Sequence, residues 1–211
     1  MTITRIQAGV RDPSRCNLYV DGEFRMALPA EVALEYHLKA GMEISSELLE
    51  ELSQRDEAKR AQSTALELLS RRSHGREELR RKLTAKGYDG EIAEQVCTRL
   101  AEGGYLDDEA HAQLLWEHLR QKGWGAGRIR QEMRSQGLEA QVVEQVLQQQ
   151  DEQEDAEKIR QLIERKLRFG RSSDAKLKKR ICDMLARYGY RYSQYAQIVE
   201  EYFDEGEDLW E

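Results

Sequence analysis

The segment "GYLDDEAHA" (104–112) sets Asp107, Asp108 and Glu109 two residues before His111, a dense cluster of potential ligands. Oxygen-rich clusters of this kind hold Mg²⁺ in nucleases and polymerases. Acids in the same pattern also start helices. An N-cap aspartate contributes about 1 kcal/mol, and first-turn acids add about 0.3–1 kcal/mol through the helix dipole. "DEQEDAE" (151–157) has the same character farther along the chain. A device used at two equivalent boundaries is structural, so capping is the reading taken here and no metal site is expected.

Other chemistry-bearing residues point the same way. His111 and His118, seven apart, share a helix face but have no Cys or His partner nearby. Ser70 and Ser73 lie near His74 without a GxSxG elbow or an acid partner, so turn and cap roles are expected. "GGYL" and "GWGAG" lack the GxxxxGK[ST] phosphate loop. Cys16, Cys97 and Cys182 are odd in number and far apart, as free thiols of a reducing cytoplasm would be. No catalytic residue, metal or cofactor is expected, and the protein is read as a non-enzyme.

The elements that carry these residues follow from periodicity. "ITRIQAGV" and "CNLYV" alternate as strands do, and Asp21-Gly22 marks a hairpin before "EFRMAL". Counting Glu23 into the turn places Cys16, Leu18, Val20, Phe24, Met26 and Leu28 on one face, which favours a longer or bulged turn. "PAEVALEYHLKAG" reads as a short helix and "SSELLEELSQRDEAKRAQ" as a linker helix.

From Thr64 the pattern is helical and repeats. With an offset of fifty, Gly75–Val96 aligns without a gap on Gly125–Val146: Leu79 meets Ile129, Leu83 meets Met133, Gly87 meets Gly137 and Val96 meets Val146. A looser third copy places Leu177, Ile181, Leu185, Gly189 and Tyr190 at an offset of fifty-two. One extra residue near Tyr192 then shifts Tyr195, Val199 and Tyr202. The expected fold is mostly α: three tandem three-helix, helix-turn-helix-like repeats in an elongated array, behind a small N-terminal β-hairpin and helix region. The expected boundaries are 1–44 for the hairpin and short helix, 45–63 for the linker helix, 64–106 and 107–150 for the first two repeats, and 151–211 for the third with an acidic tail.

Charge is unevenly spread. The 211 residues carry 33 basic and 40 acidic groups, a net −7. Between Lys158 and Arg191, however, 12 bases meet only Glu164, Asp174 and Asp183, a local +9. Basic side chains recur on the second helix of each repeat. They are Arg72, Arg76, Arg80, Arg81, Lys82 and Lys86 in the first, Arg128, Arg130 and Arg134 in the second, and Lys176, Lys178, Lys179 and Arg180 in the third. Stacked repeats would align them as a broken basic track for an anionic or acidic partner. Tyr88, Tyr105 and Trp124 are expected to pack between units. No apolar run approaches the roughly 18 residues of a membrane span, and the N-terminus has no secretory h-region.

"ALELLSRRSHGREELRRKL", "GYLDDEAHA", the Gly-Trp-Gly-x-Gly turn and the "KGYDGEIAEQV"/"QGLEAQVVEQV" pair resemble the RecX family of recombination regulators over residues 64–205. The N-terminal region is similar to the extension of longer members. The resemblance implies a cytoplasmic, non-enzymatic regulator of recombination and the SOS response. Such a protein binds the RecA protein and RecA–ssDNA filaments and inhibits filament extension, ATP hydrolysis and strand exchange. A monomer is expected, with weak direct contact to DNA and none to membrane. The alternative from the residues alone is an autonomous helix-turn-helix-type DNA-binding protein.

Overall fold

Strand alternation in the first 29 residues builds a three-stranded antiparallel sheet in the order β1-β2-β3, from Ile3–Ala8, Arg15–Val20 and Glu23–Pro29. The computed structural model describes residues 1–10, 12–148, 151–168 and 174–204. The β2–β3 turn departs from the expected longer loop. Val20 pairs directly with Glu23, and Asp21 and Gly22 both take positive φ, 48° and 91°. This turn matches the right-handed twist of the strands. The register mismatch is corrected inside β3 instead. Leu18 pairs with Met26 but Tyr19 with Phe24, so Arg25 is an extra residue in a bulge. Met26 and Leu28 thereby join Cys16, Leu18 and Val20 on the core side, whereas Phe24 leaves that face and is 58% exposed.

The core side of the sheet is closed by α1 (Ala30–Glu35) and α2 (Ser46–Arg71) through Val32, Leu49 and Leu52. Each such side chain stabilises the fold by about 1.5–3 kcal/mol when fully buried. The chain at 41–44 covers the start of β1, with Ile3 N–H donating to Met42 O at 2.9 Å and Ile44 N–H to Met1 O at 2.9 Å. Ser45 caps α2 by accepting from Leu48 N–H at 3.2 Å. The helix then runs 26 residues without a break at residue 63, so linker helix and first-repeat helix are one rod. Asp56, only 6% exposed, ties rod to sheet: its carboxylate meets Arg15 at 2.7 Å and Arg60 at 2.9 Å.

The helices that follow are α3 (Arg76–Ala85), α4 (Gly90–Glu102), α5 (Asp108–Gln121), α6 (Ala126–Ser135), α7 (Ala140–Leu147), α8 (Glu152–Leu167), α9 (Asp174–Arg187) and α10 (Tyr192–Asp204). The chain is mostly helical and built of three-helix units behind the small sheet, as its periodicity requires. Gly87, Gly137 and Gly189, each following a second helix, have φ of 94°, 88° and 90°. In each, the next residue's N–H reaches back into the helix, to Leu83 O, Met133 O and Leu185 O, closing the left-handed C-cap.

By contacts the chain forms two units, residues 1–73 with 79–105, and residues 74–78 with those from 106 onward. In the first, α4 packs on α2, and Thr64 Oγ1 shares a 2.8 Å hydrogen bond with the Tyr88 hydroxyl. In the second, Ile129, Met133 and Val143 form one fully buried nucleus, and Ile159, Ile163, Ile181 and Leu185 form another.

These two nuclei are joined tightly. The N-terminus of α6 has free amides, and the α9–α10 turn supplies their acceptors. Gly125 N–H donates to Tyr188 O at 2.8 Å and Gly127 N–H to Gly189 O at 3.0 Å. A Cβ on Gly127 would sit 2.8 Å from that same oxygen, so backbone contact here demands glycine. Beside this joint Arg120, 4% exposed, donates to Asp155, 1% exposed. Arg120 Nη2 faces Glu154 at 3.1 Å as an ion pair, and Gln194 donates to the other Asp155 oxygen at 3.0 Å. The Tyr190 hydroxyl donates to Gly123 O at 3.1 Å.

Candidate partner-binding surface

The acids at 107–109 and 151–155 lie at helix starts. Asp107 caps α5 by accepting from Ala110 N–H at 2.9 Å, and Asp151 caps α8 by accepting from Gln153 N–H at 2.8 Å. Asp108 accepts from Arg76 N–H at 2.8 Å, serving the start of α3 within the second unit. Among the described residues no group of three or more His, Cys, Asp or Glu is placed to hold a metal ion. His74 and His111 are buried, the first 2.9 Å from Glu78 and the second 3.4 Å from Gln136. All three cysteines are free thiols, and burial pushes the Cys16 and Cys182 thiols up, away from the reactive thiolate.

The basic side chains divide into two classes that charge alone does not separate. In each repeat one of them is turned back onto the third helix. Arg80 lies 3.9 Å from Glu94, Arg130 grips Glu144 with two bonds of 2.7 and 2.9 Å, and Lys178 pairs with Glu200. The Glu144 carboxyl is held below the usual glutamate range, first by the Arg130 hydrogen bond and then by the charges of Arg130, Arg134 and Arg191. Glu94 and Glu144 are separated by the same fifty residues as Arg80 and Arg130. That repeated acid, on an amphipathic third helix, was the available signal for these pairs.

Arg128 is also spoken for. Its guanidinium lies 3.7 Å over the Trp124 ring and 6.0 Å from the Tyr188 ring, and donates to Arg187 O at 3.4 Å. It therefore staples α6 to the end of α9. Arg76, Arg72, Arg81 and Lys82 lie around α3, where Arg72 and Arg81 are exposed and Arg76 and Lys82 half-buried. Lys86, Arg134, Lys176, Lys179 and Arg180 are exposed, and among the described residues none has an ion pair within 4 Å. Three of the five sit on α9. Arg171, which the sequence places near it, and the acidic tail from 205 to 211 lie outside the described residues.

The aromatic positions split as well. Trp124 packs against the second-repeat core, and the Tyr88 hydroxyl bonds inside the first unit, donating to Arg60 O at 3.3 Å. Tyr105 is instead 64% exposed. No described helix is long and apolar enough to cross a membrane.

Three-helix units with glycine-capped second helices, the second and third of them joined backbone to backbone, define a helical-repeat protein. Residues 1–45 match the "Regulatory protein RecX N-terminal domain", 61–100 the "RecX, first three-helix domain" and 107–147 the "RecX, second three-helix domain". The regulatory protein RecX of Caldanaerobacter subterraneus subsp. tengcongensis is 32% identical over 180 residues, 85% of this chain and 90% of the relative. That of Streptomyces coelicolor is 34% identical over 158 residues, 73% of this chain and 84% of the relative. The chain belongs to the RecX family of regulatory proteins. In fold it is similar to a crystal structure of regulatory protein RecX, with TM-score 0.73 and 22% identity over 95% of this chain and 98% of the other. RecX from Lactobacillus salivarius superposes with TM-score 0.61 at 19% identity, over 70% of this chain and 97% of that one.

Proposed function

We propose that this protein regulates homologous recombination and the SOS response in the cytoplasm by binding RecA and RecA–ssDNA filaments. It thereby inhibits filament extension, ATP hydrolysis and strand exchange. It acts without chemistry of its own and without a cofactor, as a monomer. Family membership supports the class of role. The observation that carries the binding surface is the set of exposed cations on α9, Lys176, Lys179 and Arg180, unpaired within 4 Å among the described residues. Exposed guanidinium and ammonium groups on one helix can engage an acidic protein face or phosphates, each immobilised side chain costing about 0.5–1.5 kcal/mol in ordering. The net charge of −7 opposes indiscriminate adhesion to DNA, which favours a protein partner as the guide.

The test is single-strand-dependent ATP hydrolysis by RecA, with this protein titrated from well below stoichiometric amounts. Loss of hydrolysis at a small fraction of the RecA concentration is the expected result. Reversing Lys176, Lys179 and Arg180 to glutamate should raise the amount needed at least tenfold. Unchanged hydrolysis with the native chain would sink the reading. Weight would then pass to autonomous DNA binding, recognised by a log–log salt slope of about −0.9 per duplex phosphate neutralised.

A further inference from the structure

The N-terminal sheet has a second face, on which, among the described residues, Arg5, Gln7 and Phe24 are exposed. Side chains alternate across a strand, so with Leu18 turned to the core, Asn17 and Tyr19 point the other way. The register sets Arg5, Tyr19 and Phe24 in one row, and Gln7, Asn17 and Ala27 in the next. The bulge at Arg25 is what delivers Phe24 to this face.

The chemistry of the two rows is specific. The Arg5 guanidinium lies 3.9 Å over the Tyr19 ring, and Phe24 meets Tyr19 edge to face at 5.8 Å. Arg5 is exposed, and among the described residues no carboxylate lies within 4 Å of it. Two acids near the sheet ends are turned to backbone work, Asp21 accepting from Thr2 N–H at 2.7 Å and Asp12 from Ser14 N–H at 3.0 Å, while Glu23 at the start of β3 is exposed. The rows thus offer an exposed ring, a cation stacked on a second ring and two side-chain amides.

We infer that the outer face of the N-terminal sheet is a stacking platform for single-stranded nucleic acid. A base stacks on Phe24 or on the open plane of the Arg5 guanidinium, as unpaired bases do on rings and arginines elsewhere. Arg5 neutralises a phosphate, and Gln7 and Asn17 meet base edges. The size of the face decides against a protein partner. Three strands spaced about 4.8 Å apart and about 20 Å long present on the order of 200 Å². A stable protein complex needs about 800 Å² from each side, whereas two or three nucleotides fill the smaller area.

The inference goes beyond the RecA reading, and its test omits RecA. The full-length chain is titrated into a fluorescently labelled thymidylate dodecamer at low salt, followed by anisotropy. Phe24→Ala and Arg5→Ala should each weaken binding about tenfold with unchanged circular dichroism. Phe24→Trp should keep affinity, and its emission should be quenched by the strand. Base-paired thymidylate should lose the contribution of the platform, because its bases are already stacked. Equal binding by the native chain and both alanine variants would overturn the inference by assigning the strand to the helices. So would no binding by the native chain. Variants normal toward thymidylate but weak as inhibitors of RecA would also overturn it, by making the face a protein contact.

Discussion

Helices α6 and α9 occupy equivalent places in successive repeats and both look basic, yet they spend their charge differently. On α6, Arg128 is stacked between Trp124 and Tyr188 and Arg130 is gripped by Glu144, which leaves Arg134 exposed. On α9, Lys178 is paired with Glu200, while Lys176, Lys179 and Arg180 stay exposed, with no ion pair within 4 Å among the described residues. Arg128 is a fastener because another repeat is docked against the start of α6, whereas the Arg130 clamp stays within its own repeat. Cations in a sequence are thus an upper bound on the cations offered to a partner. Substitutions on the α6 side of the joint should cost stability, and those on α9 should cost only binding.

The largest effect is expected at the buried ion pair. Arg120→Met strands Asp155, which is 1% exposed, and should destabilise the second unit by about 3–5 kcal/mol. Combining it with Asp155→Leu should recover most of that loss in urea unfolding, and failure to recover would mean the joint needs charge. Gly189→Ala places a methyl at φ 90° against the α6 backbone and should cost about 3 kcal/mol. A melting temperature within about 2 °C of the native value would show the joint to be looser than drawn.

The joint should also carry an alkaline limit. Burial, ahead of the nearby Asp155 charge, pushes the Tyr190 hydroxyl up to about 12. Because the folded value is raised, this stability is fully present below the ordinary tyrosine value of about 10 and is lost as pH rises toward 12. Tyr190→Phe should flatten that region of a stability–pH curve while losing about 1 kcal/mol at neutral pH.

Smaller still is the exposed clamp. Arg130→Ala should cost about 0.5–1 kcal/mol, shown by a double-mutant cycle with Glu144→Ala. Since the Glu144 carboxyl is held low, that contribution is present above the ordinary glutamate range and is lost as pH falls through its depressed value. Smallest for stability is the triple reversal on α9, within about 0.5 kcal/mol. If it melts the protein as Arg120→Met does, the contrast between the two helices is wrong.

Much of this was legible in advance. The fifty-residue repeat located Leu79, Leu83, Ile129 and Met133, all fully buried, because burial on one helix face imposes a 3.6-residue period on sequence. The three left-handed glycines and the capping role of Asp107 were equally plain, since caps depend on neighbours a few residues away. The turn at Asp21-Gly22 is shorter than the alternation of side chains predicts. A two-residue turn mixes the faces unless the slip is absorbed elsewhere, and only the pairing of Tyr19 with Phe24 reveals that Arg25 absorbs it. Of the candidate site, the locations of the cations were visible but not their availability.

That division has a physical reason. Short-range chemistry, meaning helix periods, caps, turn residues and the repeat itself, is written in residues close together in the chain, and the sequence alone determined it. Which arginines are fasteners and which are free depends on partners 14 to 59 residues away, such as Glu144 for Arg130 and Arg187 for Arg128. Such pairings exist only after the helices pack, so the tertiary structure alone decided them. The same holds for Phe24, sent to the open face of the sheet by one bulged residue.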